Sequence, residues 1–522
     1  MALLGFAGSA GAFVKAPRGD VALRRVLVKM LPKVEGTGRL ASNGRGSPEQ
    51  VQAQYDAARD FEEALLAVGP VSRGCASLLA SAQRFARAEI TQAEGVDRPS
   101  PALLAAGVRL AASAERELRR LPYGCSGGRV VTQTPILPEL LEPRSNETFT
   151  GHASALAPVG TTKVDVVLGG SIVGQATLKG RKASVDLTGR YRRRDLEFRF
   201  RDGKEVLGVA KSRSTWLLPQ TSERHLRVRK SDRTLTAKLA LLASGFRGQA
   251  GIWIHNLSTG ATASWNEDAR FPAASIVKLG VLAAALKRFG PRPERSRVAY
   301  DLQALTAWSS NLAANRLVRI LGGGSVAAGS RIAQAMLRRL GASSSTYTGE
   351  YVIGTVLVPI GGRSPANAPA ALTRSIDSHG SVSRHTGAPD PPPLVSQRVT
   401  TARDLGRIFY LLHAAAMNDR SAVKTTGLTL HEARLGIALL LASEPKGDNL
   451  GLFRPSVGPT APMAQKNGWL NDARHTAAIL YTEQGPIIVV LLTYRPGITR
   501  GEAAALGSKV LRLVVPLDAF GA

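Results

Sequence analysis

The spacing of hydrophobic residues along the chain changes twice and so predicts three regions. In the first region, alanine and leucine recur every three or four positions with arginine and glutamate between them, a pattern typical of amphipathic helices. The helices are predicted at 48–66, about 73–93 and 100–121. Ser47 and Pro48 suit the start of the first helix. Because turn-forming residues follow the third helix, we expect a helical unit over residues 47–128.

The hydrophobic period becomes two after about residue 145, which is the spacing of half-buried β-strands. Short runs with this period are separated by Gly-Gly, Lys-Gly-Arg-Lys and Asp-Gly turns. The runs lie at 163–168, 171–178, 183–187 and 196–203. We predict a small β-sandwich over residues 145–212 that serves as a spacer or packing module. A polar, basic connection at 211–233 would join it to the rest of the chain.

The last region, residues 235–522, mixes both periods. Strands are predicted at 252–257, 261–265, 476–482 and 487–493. Helices are predicted at 234–246, from 275 onward, and at 311–321, 329–340, 401–416, 430–442 and 501–514. Two strands, several helices, two more strands and a last helix describe an α+β domain in which an antiparallel sheet is flanked by helices.

Residues 1–46 are interpreted as a signal or a flexible leader. The uncharged apolar run 2–14 is too short to cross a bilayer, but its length fits the hydrophobic part of a secretory signal. Small residues at 9–12 suit a cleavage site. No basic residues precede the run, so a glycine- and alanine-rich tail is the other interpretation. The signal interpretation predicts an extracytoplasmic protein, either secreted or associated with the cell surface.

The chain is strongly basic, with 68 Lys and Arg against 39 Asp and Glu and a formal net charge of +29. Such an excess suits nucleic-acid binding, because cationic side chains neutralise phosphates. The basic residues are spread along the chain, however, and the one dense run, Arg190 to Arg201, contains acidic residues. An arginine-rich composition is the simpler explanation, so we expect no nucleic-acid partner. Contact with an anionic cell envelope is compatible with this charge.

Only two cysteines occur, Cys75 and Cys125, and both lie outside residues 235–522. We therefore expect no catalysis by a thiol. In an exported protein the pair could form a disulfide in the helical unit, and two buried thiols are the alternative. The eight histidines form no short-spaced cluster with cysteine or carboxylate, so we predict no metal and no cofactor.

Candidate chemistry begins at Ser275-Ile-Val-Lys278, at the start of an apolar helix. Residues three apart on a helix share a face, so the Lys278 amine can reach the Ser275 hydroxyl. A serine hydroxyl is a poor nucleophile until a base takes its proton, and a partly buried lysine near other cations has the lowered pKa that this role needs. This spacing alone is weak support, because it occurs by chance in many chains.

Two further motifs follow in order along the chain. Ser309-Ser-Asn311 precedes a helix, and Lys466-Asn-Gly468 lies just before the strand predicted at 476–482. The three motifs in this order follow a signature described for serine acyl-transfer enzymes. On these residues, the region 235–522 resembles the catalytic domain of the class A serine β-lactamase and penicillin-binding-protein superfamily.

The resemblance implies a role for each motif residue. Ser275 would be acylated by a lactam or peptide carbonyl, and Lys278 would accept or relay its proton. Ser309 would pass a proton to the leaving nitrogen. Asn311 would bind the acylamino side chain of the substrate, and Lys466 would hold its carboxylate.

The resemblance also implies an oxyanion hole formed by the backbone amides of Ser275 and Trp469, each contributing about 3 kcal/mol. Asn467, Gly468 and Arg474 are assigned to substrate binding. Arg474 either pairs with the substrate carboxylate through its planar fork or is an ordinary sheet-edge arginine. Asn467 stands where the family has threonine or serine, so we expect a shift in specificity.

The chain departs from the family in the spacing of its motifs. Only 34 residues separate Ser275 from Ser309, which implies a trimmed helical lobe and a more open cleft. The Gly/Pro/Ser-rich segment 361–397 instead enlarges the region of the active-site loop. Asn315, on the helix after the second motif, is assigned a structural role.

The glutamate that activates the deacylating water in class A enzymes has no matching phrase in this chain. Glu350, in Gly349-Glu-Tyr-Val-Ile, is the candidate for this role, and Asp390 is the second choice. The alternative is that Glu350 is an ordinary loop carboxylate.

These residues predict a serine hydrolase of the class A β-lactamase type that opens β-lactam amides through a Ser275 acyl-enzyme. Its partner would be a small-molecule β-lactam or a cell-wall peptide. One alternative is a D-Ala-D-Ala peptidase or penicillin-binding protein that uses the same site. If no residue takes the place of the glutamate, the other alternative is a slowly deacylating, non-catalytic penicillin-binding sensor.

Overall fold

The structure of the protein is a computed structural model. The residues that it describes form two compact units. One unit is helical and the other is built on β-sheets. The described residues are 18–42, 47–98, 100–121, 125, 139–143, 148–149, 151–158, 160–187, 192–217, 230–290, 292–353, 398–482 and 484–515. The proposed signal at 2–14, the segment 361–397 and Asp390 lie outside them.

The helical unit contains four described helices. They are α1 Arg18–Ser42, α2 Pro48–Leu66, α3 Arg73–Asp97 and α4 Pro101–Arg120. The expectation of a flexible leader is corrected for residues 18–42, which form α1. Its buried residues Leu23, Leu27, Leu31 and Val34 repeat every three or four positions. Pro32 and the many basic residues between them obscured this stripe in the sequence.

The two cysteines are joined in a disulfide between Cys75 on α3 and Cys125. The carbonyl oxygen of Cys125 also accepts a hydrogen bond from the Arg24 guanidinium on α1, at 2.9 Å. The bridge and this hydrogen bond together fix the chain after α4 against α3 and α1.

The region predicted at 145–212 is here called the β-module. It is a sandwich of two sheets whose strands are mostly antiparallel. Its strands are β1 Glu139–Glu142, β2 Thr148–Phe149, β3 His152–Leu156, β4 Lys163–Leu168, β5 Ser171–Gln175, β6 Thr177–Lys179, β7 Lys182–Asp186, β8 Arg192–Asp202 and β9 Glu205–Leu217. The sheets have the orders β1-β3-β7-β6 and β2-β9-β8-β4-β5. Phe198 and Phe200 of one sheet and Ala155 and Ala183 of the other share one buried core. Strand β9 continues to Leu217, beyond the predicted end of the module at 212.

The basic run in this module is paired with acidic residues. Arg199 lies 3.2 Å from Glu197, and Arg201 lies 2.8 Å from Asp165. Lys211, on the neighbouring strand, contacts the Glu197 carboxylate at 2.7 Å. Alternating charges on adjacent strands therefore offset one another across this sheet.

The C-terminal domain is built on a six-stranded sheet within the described residues. Its strands are β10 Lys230–Ser231, β11 Gln249–Asn256, β12 Ala261–Trp265, β15 Met463–Trp469, β16 Ala473–Thr482 and β17 Gly485–Tyr494, in the order β10-β12-β11-β17-β16-β15. A separate short pair joins β13 Phe271–Pro272 to β14 Val399–Thr400. The α+β prediction is confirmed. The third motif lies inside edge strand β15, not before a strand as we expected, because polar Gln465, Lys466 and Asn467 masked the strand pattern.

Helices cover both faces of this sheet. They are α5 Arg233–Ser244, α6 Lys278–Arg288, α7 Ala299–Ala307, α8 Asn311–Leu321, α9 Val326–Arg339, α10 Ala402–Ala416, α11 Arg420–Thr426, α12 Leu430–Leu441, α13 Arg454–Val457 and α14 Arg500–Val514. One core lies between the sheet and the helices around α6 and α10, and a second lies under α5 and α14. No described helix of the chain combines the length and the apolar character that crossing a membrane requires.

Two histidines are buried in the first core. His255 on β11 stacks on Tyr410 of α10, with ring centroids 5.5 Å apart. On the same helix, His413 Nδ1 lies 3.2 Å from the Tyr481 hydroxyl. Burial lowers the pKa of each histidine to about 4, and the nearby His255 adds to the effect on His413. Both rings are therefore neutral at physiological pH.

Acid should destabilise this domain through His255. An unfolded histidine binds a proton with a pKa near 6.5, whereas His255 stays neutral down to about pH 4, so stability is lost as the pH falls from 6.5 to 4. The loss reaches about 3 kcal/mol for one such histidine. In His255→Phe, the free energy of unfolding from urea titrations should fall less steeply over this range than in the wild type. Equal slopes in the wild type and in His255→Phe would contradict the assignment.

Candidate active site

Ser275 lies on a 3₁₀ turn, Ala274–Val277, directly before α6. The sequence predicted that the helix itself starts at Ser275, but α6 begins at Lys278. Ala274 has a φ of 49°, a left-handed conformation that costs a residue with a side chain about 1 kcal/mol or more. The preceding residues hold the turn: Ala273 N–H donates to the Arg398 carbonyl at 2.9 Å.

His475 also fixes the approach to this turn. Its Nε2–H donates to the Pro272 carbonyl at 2.8 Å, and its Nδ1 accepts from the Thr493 amide at 3.3 Å. These two bonds define which ring nitrogen carries the proton. Burial lowers the pKa of His475 to about 4, so the ring stays neutral and connects the sheet to the residues before the Ser275 turn.

Lys278 is completely buried at the start of α6, one turn after Ser275. Its Nζ donates to the Ser309 carbonyl at 2.6 Å and to Asn311 Oδ1 at 2.7 Å. The Tyr351 ring lies below it, with the ring centroid 4.3 Å from Nζ. Lys278 therefore links the first motif directly to the second.

Ser309 links the second motif to the third. It lies between α7 and α8 with a φ of 63°, another left-handed conformation. Its Oγ accepts a hydrogen bond from Lys466 Nζ at 2.6 Å. Lys466 on β15 is only 2% exposed, and burial lowers its pKa to about 7. Near neutral pH this amine therefore exists in both its charged and its neutral form.

Gly468 brings β15 against the Ser275 turn. A Cβ at this position would lie 2.9 Å from the Ala273 carbonyl oxygen and 3.2 Å from the Ile276 amide nitrogen, so only glycine permits this approach. Trp469 is the next residue and the last of β15. The oxyanion hole formed by Ser275 and Trp469 stays a prediction, and this close packing is the feature that supports it.

Asn467 and Arg474 are not brought to the same side as Lys466, because successive strand residues point to opposite faces. Asn467 Nδ2 donates to the Asn449 carbonyl at 3.0 Å, and its Oδ1 accepts from Thr476 Oγ1 at 2.8 Å. The Arg474 guanidinium lies over the Trp469 ring, 5.0 Å from its centroid. The Asn467 amide is thus engaged by the protein, which does not support its assignment to substrate binding.

Glu350 is paired with an arginine of the helix that follows the second motif. Its carboxylate lies 2.7 Å from Arg319 Nε on α8. As a candidate deacylating base it therefore lacks support, since its charge is directed to Arg319. The next residue, Tyr351, reaches Lys278 instead.

Tyr351 is the site residue that the sequence did not reveal. Asn315 holds its backbone from both sides: Asn315 Nδ2 donates to the Tyr351 carbonyl at 2.9 Å, and Asn315 Oδ1 accepts from the Tyr351 amide at 2.7 Å. The Tyr351 hydroxyl donates to the Ala274 carbonyl at 3.2 Å. Burial raises the pKa of this hydroxyl well above its usual value, so Tyr351 is neutral. Asn315 thus has a structural contact of the kind assigned to it.

No cluster of three or more His, Cys, Asp or Glu side chains that could hold a metal ion occurs among the residues that the structure describes. The polar groups that do converge come from the starts of two helices, a loop and a strand. Hydrogen bonds connect Lys278, Ser309, Asn311 and Lys466, and Ser275 lies on the turn directly before α6. Two lysines and two hydroxyl groups in a buried setting are suited to acyl transfer by serine.

Known protein structures resemble the chain at low sequence identity. A structure of PBP-A is 15% identical, with a TM-score of 0.38, and the match covers 57% of this chain and 97% of that one. An ancestral class A β-lactamase, GNCA, is 19% identical with a TM-score of 0.36, covering 54% and 98%. A β-lactamase from Chitinophaga pinensis DSM 2588 is 14% identical with a TM-score of 0.39, also covering 54% and 98%. No curated protein sequence matches the chain.

A family profile gives a more direct assignment. The profile of the Beta-lactamase enzyme family matches residues 234–292 and 294–515, which is more than half of the chain. The matched segments contain all three motifs. The chain therefore belongs to the beta-lactamase enzyme family.

Proposed function

We propose that the chain opens β-lactam amides by forming an acyl-enzyme on Ser275. The observation that carries this proposal is that both lysines bind Ser309 next to the Ser275 turn: Lys278 Nζ donates to the Ser309 carbonyl and Lys466 Nζ donates to its Oγ. Membership of the beta-lactamase enzyme family supports the choice of substrate class.

The chemistry assigns one proton step to each group. The Ser275 oxygen attacks the lactam carbonyl while its proton passes to the amine form of Lys278. The C–N bond then breaks as Ser309 gives its proton to the leaving nitrogen, and Lys466 replaces that proton through its 2.6 Å contact. Because burial places the pKa of Lys466 near 7, its ammonium form can donate this proton at neutral pH.

Replacing the nucleophile should abolish covalent labelling. Ser275→Ala cannot form the ester bond, so incubation with a fluorescent penicillin should give no labelled protein on a denaturing gel, and turnover of a chromogenic cephalosporin should disappear. Lys278→Met should reduce the acylation rate by at least about 100-fold, the usual contribution of a general base.

A matched control is Ser264→Ala on β12, a half-buried serine on a strand at the other side of the sheet. It should label at the wild-type rate. Persistent labelling of Ser275→Ala, or no labelling of the wild type by any β-lactam, would refute the proposal.

Slow release of the acyl group is the second candidate, as in a penicillin-binding protein or sensor. The observation that favours it is Tyr351, a neutral aromatic residue that covers Lys278. Rapid hydrolysis needs a base that activates water, and neither Glu350, which pairs with Arg319, nor Tyr351 supplies one. Acylation would then be faster than release, and a D-Ala-D-Ala peptide could be the natural acyl donor.

Tyr351→Glu should accelerate release of the acyl group by at least about tenfold, because it introduces a carboxylate beside Lys278. Intact-mass measurements after rapid acylation give the lifetime of the penicilloyl adduct in each protein. Tyr351→Phe keeps the ring and should retain the long lifetime. A wild-type adduct that decays within seconds would exclude slow release, and release of D-alanine from a wall pentapeptide would identify peptidase activity.

We extend the proposal to a location outside the cytoplasm. The disulfide between Cys75 and Cys125 supports it, because such bridges persist in oxidising compartments and are rare in the cytosol. When the protein from intact cells is treated with a maleimide, neither cysteine should therefore be alkylated until a reductant is added. Two modified thiols without reduction would contradict an oxidising location.

A further inference from the structure

Asn449 lies in a short segment that crosses from the helical side of the site to β15. This segment, residues 444–452, is here called the strap and runs between α12 and α13. Asn449 is 7% exposed. Its Nδ2 donates to the Ala307 carbonyl at 2.5 Å, and the Glu444 amide donates to the same oxygen at 2.8 Å. The strap is thus fixed to the end of α7, two residues before Ser309.

The carbonyl group of Asn449 fixes the strap to the edge strand. It accepts from Gln465 Nε2 at 2.7 Å and from Asn467 Nδ2 at 3.0 Å. These two residues flank Lys466 and point to the opposite face of β15. Both neighbours of Lys466 are therefore held at one carbonyl oxygen.

We infer that Asn449 is a positioning residue that sets the contact between Ser309 and Lys466. The inference rests on the proposed function and deepens it. Ser309 and Lys466 lie on different elements, and their 2.6 Å contact tolerates little relative movement of α7 and β15. Asn449 joins these same two elements through its side chain and its backbone.

This role explains the unusual residue in the third motif. The Asn467 side-chain amide donates to the Asn449 carbonyl and accepts from Thr476 Oγ1. A threonine at position 467 has no side-chain amide, so it could not make both contacts over the same distances. Gly451 belongs to the same arrangement. It has a φ of 66°, and a Cβ there would lie 2.6 Å from Asn467 Oδ1.

The test compares Asn449→Ala with Asn256→Ala. Asn256 is the control because it lies at the opposite end of the sheet from the third motif. Across the sheet, Trp469 pairs with Arg474, Arg474 with Thr493, and Thr493 with Ala250 near the start of β11, whereas Asn256 is the last residue of β11. Two quantities are measured on the full chain: the rate of acylation by a fluorescent penicillin, and the titration midpoint of Lys466 by NMR of isotope-labelled lysine, assigned with Lys466→Arg.

In Asn449→Ala, acylation should slow by at least tenfold. The Lys466 midpoint should rise by one pH unit or more, because separation from Ser309 admits water around the amine. Asn256→Ala should change neither quantity. An unchanged rate, or a slower rate with an unchanged Lys466 midpoint, would overturn the inference, since a general loss of stability leaves the surroundings of the amine in the folded protein as they are.

Asn467→Thr provides a second variant if Asn449→Ala fails to fold. It removes the donor to the Asn449 carbonyl and should change both quantities in the same direction, and no change would overturn the inference. If the wild type is not acylated at all, the proposed function fails, and the Lys466 titration still decides whether Asn449 positions the amine.

Discussion

The hydrogen bond between Lys466 and Ser309 is the contact on which the rest of the site depends. It joins an edge strand of the sheet to the helical lobe, and it does so with an amine that is almost wholly removed from water. An amine in such a setting is costly unless its neighbours accept hydrogen bonds at short distances. The surrounding structure must therefore hold the two elements within a few tenths of an ångström.

Several local features serve that requirement. The left-handed backbone at Ala274 and Ser309 shapes the two segments that carry the serines, at a cost that the packing around them must offset. Gly468 allows β15 to approach the Ser275 turn, and His475 supports that turn from the sheet. These contacts come from residues up to about two hundred positions apart, so the site forms only when both lobes of the domain are in place.

The sequence predicted the parts of this site that are local. The helices after residue 311 and the central strands were recognisable from their hydrophobic periods, and the three motifs located the four polar residues that converge. The sequence could not predict that Asn467 turns away from Lys466, because the polar residues around it concealed strand β15 and hence the alternation of its faces.

Tyr351 illustrates a second limit of the sequence. Its contacts with Lys278 and Ala274 join residues more than seventy positions apart, and nothing in the local pattern distinguishes it from its neighbour Glu350. The helix α1 was missed for a different reason: the apolar stripe that buries it is narrow, and Pro32 interrupts a run rich in basic residues.

The paired charges on the β-module affect how strongly a chain with a net charge of +29 would be attracted to a polyanion. On that sheet, Arg199, Arg201 and Lys211 each have a carboxylate within 3.2 Å, so the outward field there is weak at distances beyond a Debye length of about 8 Å. Any attraction to a polyanion would then arise from the basic residues dispersed elsewhere in the chain, and salt would readily weaken it.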